Sequence, residues 1–167
     1  MKMRHLVWMA ALILAAGAST GLAGDMRLGA GANYWTVLDD LDAEDVDDSG
    51  FSYLGTFQYR GDFGGIELDL EFLPSRFEED FIAPQAYVIL GSAIYAAAGL
   101  GILYANEEFA NEPFFALKAG LDLEIAPQLF LDLSANYRFN DTAELGNRDT
   151  DIDTDTVFLG AALRVAF

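Results

Sequence analysis

Residues 157–167, Val-Phe-Leu-Gly-Ala-Ala-Leu-Arg-Val-Ala-Phe, constrain the chain more than any other stretch. A β-strand sends alternate side chains to opposite faces. Val157, Leu159, Ala161, Leu163, Val165 and Phe167 then form a wholly apolar face, while the other face carries small residues and Arg164. A strand held between lipid on one side and a packed polar interior on the other needs this division, whereas a soluble strand rarely offers an unbroken apolar face at its end.

Similar alternation recurs through the chain. It predicts strands over 25–37, 51–60, 66–73, 84–90, 93–104, 114–125, 129–140 and 157–167. The third is the cleanest: Ile66, Leu68, Leu70 and Phe72 face one way and Glu67, Asp69 and Glu71 the other. In the fifth, Tyr95, Ala97, Gly99 and Gly101 are placed inward because Ile94, Leu100 and Ile102 suit lipid better; a buried helix is the rival there, weakened by the two glycines. The connections alternate long and short. Acidic or polar loops follow strands one, three, five and seven, and tight turns at 61–65, 91–92 and 126–128 follow strands two, four and six. Glycine is expected to supply positive φ in the turn at 61–65. Short periplasmic turns and long outer loops are the pattern of membrane barrels, and an even strand count leaves both termini on the periplasmic side. Tyr34, Tyr53, Phe72, Tyr104, Phe115, Tyr137 and Phe139 gather at the long-loop ends, and Tyr59, Phe63 and Phe167 at the short-turn ends. Two such groups match the aromatic belts of a membrane interface. The expected fold is all-β: an eight-stranded antiparallel up-and-down transmembrane β-barrel over residues 24–167.

Residues 1–23 read as a cleaved export signal. Lys2 and Arg4 precede an apolar core over 6–16, too short to span a bilayer, and small residues lead to a cleavage site after Ala23. Beyond this leader lie 7 basic and 27 acidic residues, close to −20, which repels nucleic acid. The chain has no cysteine, and its one histidine, His5, lies in the leader.

Facing then separates two kinds of barrel. A soluble one encloses its apolar face; a membrane one inverts it. The polar face carries Arg27, Arg60, Lys118, Arg138 and Arg164 against Glu67, Asp69, Glu71, Asp122, Glu124 and Asp132. This near-balance suits a buried interior, because an unpaired buried charge costs several kcal/mol. By depth, Arg27, Arg60 and Arg164 fall beside Glu67, Asp122, Glu124 and Asp132, with Lys118 and Arg138 higher, near Asp69 and Glu71. Ala97, Gly99 and Gly101 are expected to leave room for Arg27. Eight strands enclose barely enough space for their own side chains, so a plugged polar interior is expected rather than an open pore.

With these strands, the leader and the tail in view, the chain resembles the small eight-stranded outer-membrane barrels of the OmpA/OmpX/OmpW-like superfamily, the porin-family barrel domains of Gram-negative bacteria. The resemblance implies that Phe167, with Val165, Leu163, Ala161 and Leu159 before it, forms the recognition signal for the outer-membrane assembly machinery. It also implies residence in the bacterial outer membrane among lipid and lipopolysaccharide, with loops at the cell surface. A monomer is expected, and no cofactor. Barrel enzymes of the deacylase and protease types use a histidine base; none remains beyond the leader, so no enzymatic activity is expected. Asp149, Asp151, Asp153 and Asp155 place acid at every second residue and could bind a divalent cation weakly, although the run lacks the glycine and closing glutamate of a helix-loop-helix calcium site. The leading reading is a structural or surface-interaction barrel with acidic loops. A narrow channel for small or hydrophobic solutes and a soluble periplasmic ligand-binding barrel stay open as alternatives.

Overall fold

A computed structural model of the protein describes residues 24–38, 49–76, 79–105, 108–110, 112–139, 143–144, 151–152 and 155–167. Eight long strands form its wall: β1 Asp25–Val37, β2 Ser49–Arg60, β3 Gly64–Arg76, β4 Glu79–Gly91, β5 Ile94–Gly101, β6 Phe114–Ala126, β7 Leu129–Phe139 and β8 Thr156–Ala166. Each pairs antiparallel with its sequence neighbours. β1 also pairs with β8, from Arg27↔Ala166 to Val37↔Thr156, which closes the sheet into a barrel. Closure removes the long free edges of the sheet, so that the strands pair with one another around the whole wall, as a bilayer requires. The predicted leader lies outside the described residues.

The faces are inverted relative to a soluble barrel. Leu28, Leu70, Val88, Leu100, Leu117, Leu163 and Val165 point outward and are exposed, whereas Arg27, Glu67, Asp69, Glu71, Lys118, Asp132, Arg138 and Arg164 are buried inside. Facing in β5 follows parity: Tyr95 and Ala97 are buried, and Ile94 and Leu100 are exposed.

The wall departs from its expected outline at the long-connection end. β3 and β4 run on through the segment read as a polar loop, pairing Leu73↔Phe81 and Arg76↔Glu79 across a register shift. Proline, which cannot donate to a ladder, is tolerated at such irregularities, and Pro74 sits within the shift. The reward is apolar burial, since Leu73 and Phe81 both turn into the lumen. β5 ends at Gly101, and a two-residue strand, Tyr104–Ala105, resumes pairing at Ile82↔Tyr104 and pairs with Glu108–Phe109.

The short turns depart in a smaller way. Gly64 and Gly65 already belong to β3, and no glycine in 61–65 adopts positive φ; that conformation falls to Gly91 (φ 110°) and Gln128 (φ 65°). Gly65 is instead a close-approach position, where a Cβ would strike the carbonyl oxygen of Tyr59.

Candidate functional site: the barrel lumen

The inward faces of the eight strands stack three layers along the lumen. Nearest the short turns, the guanidinium of Arg27 donates to Asp122 and lies 3.5 Å over the ring of Phe130. Arg60 approaches the same Asp122 oxygen at 3.7 Å and donates to the carbonyl of Ser92 at 2.6 Å. Asp122 and Asp132 are direct cross-strand partners. Like charges opposite one another repel, and each is matched to its own arginine: Asp132 to Arg164 at 2.9 Å, with the Tyr95 hydroxyl donating to it at 2.7 Å.

The middle layer centres on Glu67. Its carboxylate accepts from Lys118, Gln58 and Arg164, the last at 3.0 Å. Lys118 also reaches Asp69 at 2.9 Å and sits 4.1 Å over the Tyr87 ring. Tyr87 continues the chain of bonds, donating to Gln85 and accepting from Asn136. One turn of side chains higher, Glu71 accepts from Arg138 and Ser52, from Asn33 at 2.7 Å and from Gln85 at 2.8 Å. These charge-assisted bonds are the strong class, and they occupy a space from which water is largely excluded.

Above Glu71 the lumen turns apolar. Trp35, Leu73, Phe81, Leu103, Phe114 and Phe158 are buried against one another. Arg138 forms the seam, its guanidinium 3.7 Å over Phe158 and 4.8 Å over Phe114.

No family model and no curated protein matches the chain. Solved structures do. Neisserial surface protein A superposes with a TM-score of 0.63 over 85% of this chain and 97% of that one, at 19% identity. The N-terminal β-barrel domain of Pseudomonas aeruginosa OprF gives 0.52 over 86% and 99%, at 13% identity. The outer membrane protein AlkL, solved in lipid bilayers, gives 0.52 over 89% and 93%, at 15% identity. The fold is that of the small eight-stranded outer-membrane barrels.

Within this outer-membrane-type barrel the expected charge set is brought together with one exception. Glu124 lies on an exposed stretch of β6 beside the short turn, where it accepts from the Gln128 amide at 3.3 Å. Glu124 keeps inward parity, pairing with Phe130 before the register shift that precedes Ala126, and it is exposed because it stands at the rim of the lumen's short-turn mouth rather than inside it. Removing Glu124 makes the buried set five basic against five acidic: Arg27, Arg60, Lys118, Arg138 and Arg164 with Glu67, Asp69, Glu71, Asp122 and Asp132. The space across from β1 is also filled differently from expectation. A Cβ at Gly99 would meet the Tyr87 ring and one at Gly101 the Phe114 ring, so these glycines make room for aromatics while Arg27 turns to Phe130.

Leu159, Ala161, Leu163, Val165 and Phe167 lie on the outer face at the β8 end of the wall. Tyr34, Tyr53, Phe72 and Phe115 are outward at the long-connection end, with Tyr34 packed edge-on to Phe51 and Phe115 stacked on Phe139. Of the acidic run, Asp149 and Asp153 lie outside the described residues. Asp151 belongs to a two-residue strand paired with Ala143–Glu144, and Asp155 accepts from the Tyr137 hydroxyl. Among the described residues no group of three metal-ligating side chains occurs.

The charge-based reading left the neutral members of the network out of the site: Asn33, Ser52, Gln58, Gln85, Tyr87, Tyr95 and Asn136. Their signal was strand parity, which places each on the same face as the charges.

Proposed function

We propose that the protein is a bacterial outer-membrane barrel whose role is structural and interactive: a closed scaffold that carries acidic loops at the cell surface. The observation that carries this reading is the filling of the lumen. Five basic and five acidic groups interlock beneath a buried apolar layer, and the polar cavity between them at mid-height is about 10 Å³, room for no more than a single water. A conducting path would have to displace both layers. The inverted faces and the aromatic ends of the strands support a bilayer setting, where lipid and lipopolysaccharide are the neighbours, and the apolar tail fits a substrate of the outer-membrane assembly machinery. The sequence over 39–48 holds seven acidic residues, a composition that favours contact with water. Weak divalent-cation binding by the run around Asp151 belongs to the same reading, and calcium calorimetry at millimolar levels tests it.

The scaffold reading is tested in a planar bilayer. Purified protein should give a heat-modifiable band on gels and no steady ion conductance. Steady conductance abolished by blocking the lumen would sink the closed scaffold and favour a narrow channel. Folding in plain buffer without detergent would overturn the membrane setting itself.

A further inference from the structure

The short-turn mouth of the lumen is an open cavity of about 470 Å³ whose floor holds Arg27 and Arg60. Their side chains are only 9% and 4% exposed, and both converge on one oxygen of Asp122. Among the described residues, Nε of Arg27, Nη1 of Arg60 and the second oxygen of Asp122 have no hydrogen-bond partner. The five-against-five balance of the lumen is therefore not uniform along its length. The centre sets Lys118, Arg138 and Arg164 against Glu67, Asp69, Glu71 and Asp132, one anion in excess, while the floor of the mouth has one cation in excess.

The rim of the same cavity has the opposite sign. Asp25, Asp62 and Glu124 line it and are exposed; Asp25 reaches back to Arg27 at 3.8 Å, while Asp62 and Glu124 face the opening. A simple anion is repelled by this rim before it reaches the arginines, and a simple cation is held at the rim but repelled by the floor. A molecule carrying both charges a few bonds apart satisfies both. Guanidinium groups match carboxylate and phosphate oxygens in a planar, two-point fashion, which suits the inner end.

We propose that this mouth binds a dipolar small ion, an oxyanion linked through a short chain to an ammonium. The oxyanion engages Arg27 and Arg60, and the ammonium faces Asp25, Asp62 and Glu124. This site is independent of whether the lumen conducts.

The test uses the protein purified from membranes in octyl glucoside, a detergent bearing neither group. O-Phosphorylethanolamine is titrated by calorimetry while the arginine Nε–H signals are followed by NMR. Saturable binding about tenfold tighter than that of inorganic phosphate or ethanolamine alone is expected, the scale of one charge-assisted bond, with movement of the Arg27 signal. Asp62→Asn with Glu124→Gln alters only exposed groups. It should bring the affinities for O-phosphorylethanolamine and phosphate close together by admitting the bare anion. Arg60→Gln should abolish both; if that variant does not fold, the rim variant still decides. Absence of saturable binding in the unaltered protein overturns the proposal. So does phosphate binding as tightly as the dipolar probe, or a rim variant that keeps the original ratio. Adding phosphatidylethanolamine to the micelles separates two sources of the same chemistry: a lipid headgroup would displace the probe and a free molecule would leave it bound, and either result upholds a dipolar site.

Discussion

The two halves of the lumen fill the same cylinder with opposite chemistry. Toward the long connections, Trp35, Leu73, Phe81, Leu103, Phe114 and Phe158 pack as a small apolar core. Toward the short turns, ten charged side chains and their neutral partners interlock. Both halves sit on the inward face of the same strands. What the lumen demands is therefore not polarity but filling: apolar side chains pack against one another, and each of the ten buried charges has an opposite charge within 4 Å. The two solutions fail differently. An apolar layer loses transfer energy and gains a cavity when a side chain is trimmed, whereas an ionic layer leaves a charge stranded when one partner is removed.

The largest effect should come from stranding such a charge. Glu71 is 1% exposed and accepts from Arg138, Ser52, Asn33 and Gln85. Glu71→Ala should cost about 3–5 kcal/mol in urea unfolding followed in micelles. Removing both partners, Glu71→Leu with Arg138→Met, should recover more than half of that loss, because no charge is left behind and the apolar layer can extend downward one step. If the double variant is no more stable than the single one, the two halves do not differ in the way described.

The apolar half gives the next effect. Leu73 is fully buried, and Leu73→Ala should cost about 3 kcal/mol by the same unfolding measurement. Leu73→Met, which conserves volume, should cost less than about 1.5 kcal/mol. The equally conservative Glu71→Gln should remain expensive, since it removes the counter-ion of Arg138 while changing shape little. Equal tolerance of both conservative changes would break the contrast.

The ionic half was legible in the sequence, and the apolar half was not. Glu67, Asp69 and Glu71 alternate with Ile66, Leu68, Leu70 and Phe72 without a break, so periodicity alone fixes the strand, its facing and the depth of each charge. The bounds of β1, Asp25–Val37, follow from the same signal. At the other end the signal inverts. Trp35, Phe114 and Phe158 sit at inward parity but are apolar, so a rule of polar-inside treats them as noise. Pro74 and the acids near residue 79 resemble a loop, although the backbone continues in register-shifted pairs to Arg76↔Glu79. Glu124 shows the converse error, being charged and at inward parity but standing too near the short-turn end to be buried, at the rim of the mouth. Parity fails wherever a ladder slips by a residue, and a slip leaves no mark in composition.

The outer wall supplies a control on this contrast, because its chemistry should vary with depth alone. Leu163, near the middle of β8, is outward and exposed, as is Ile94 at the short-turn start of β5. Leu163→Arg should cost about 2–3 kcal/mol and Ile94→Arg no more than about 1 kcal/mol, measured by unfolding in lipid vesicles. Equal costs would mean that the exposed band is not seated in hydrocarbon.

The smallest effects distinguish an occupied lumen from an open outer surface at single glycines. At Gly99 a Cβ would strike the carbonyl oxygen of Ala86 and lie 2.7 Å from Cγ of Tyr87, the ring that supports Lys118 and bonds Gln85 and Asn136. Gly99→Ala should therefore cost about 1–2 kcal/mol, as an overpacked core does. At Gly55, on the outer face of β2, nothing lies within 4 Å of the corresponding Cβ. Gly55→Ala should be neutral or stabilising by up to about 1 kcal/mol, since it only restricts the unfolded chain. The sign of the difference is the informative quantity. A costly inner alanine beside a harmless outer one places the filled space inside the wall, where the Ala86 carbonyl and the Tyr87 ring close the gap that the glycine leaves, whereas a harmless alanine at Gly99 would mean that the neighbouring strand and the Tyr87 ring both give way and that the centre of the lumen is less completely packed than its bonding requires.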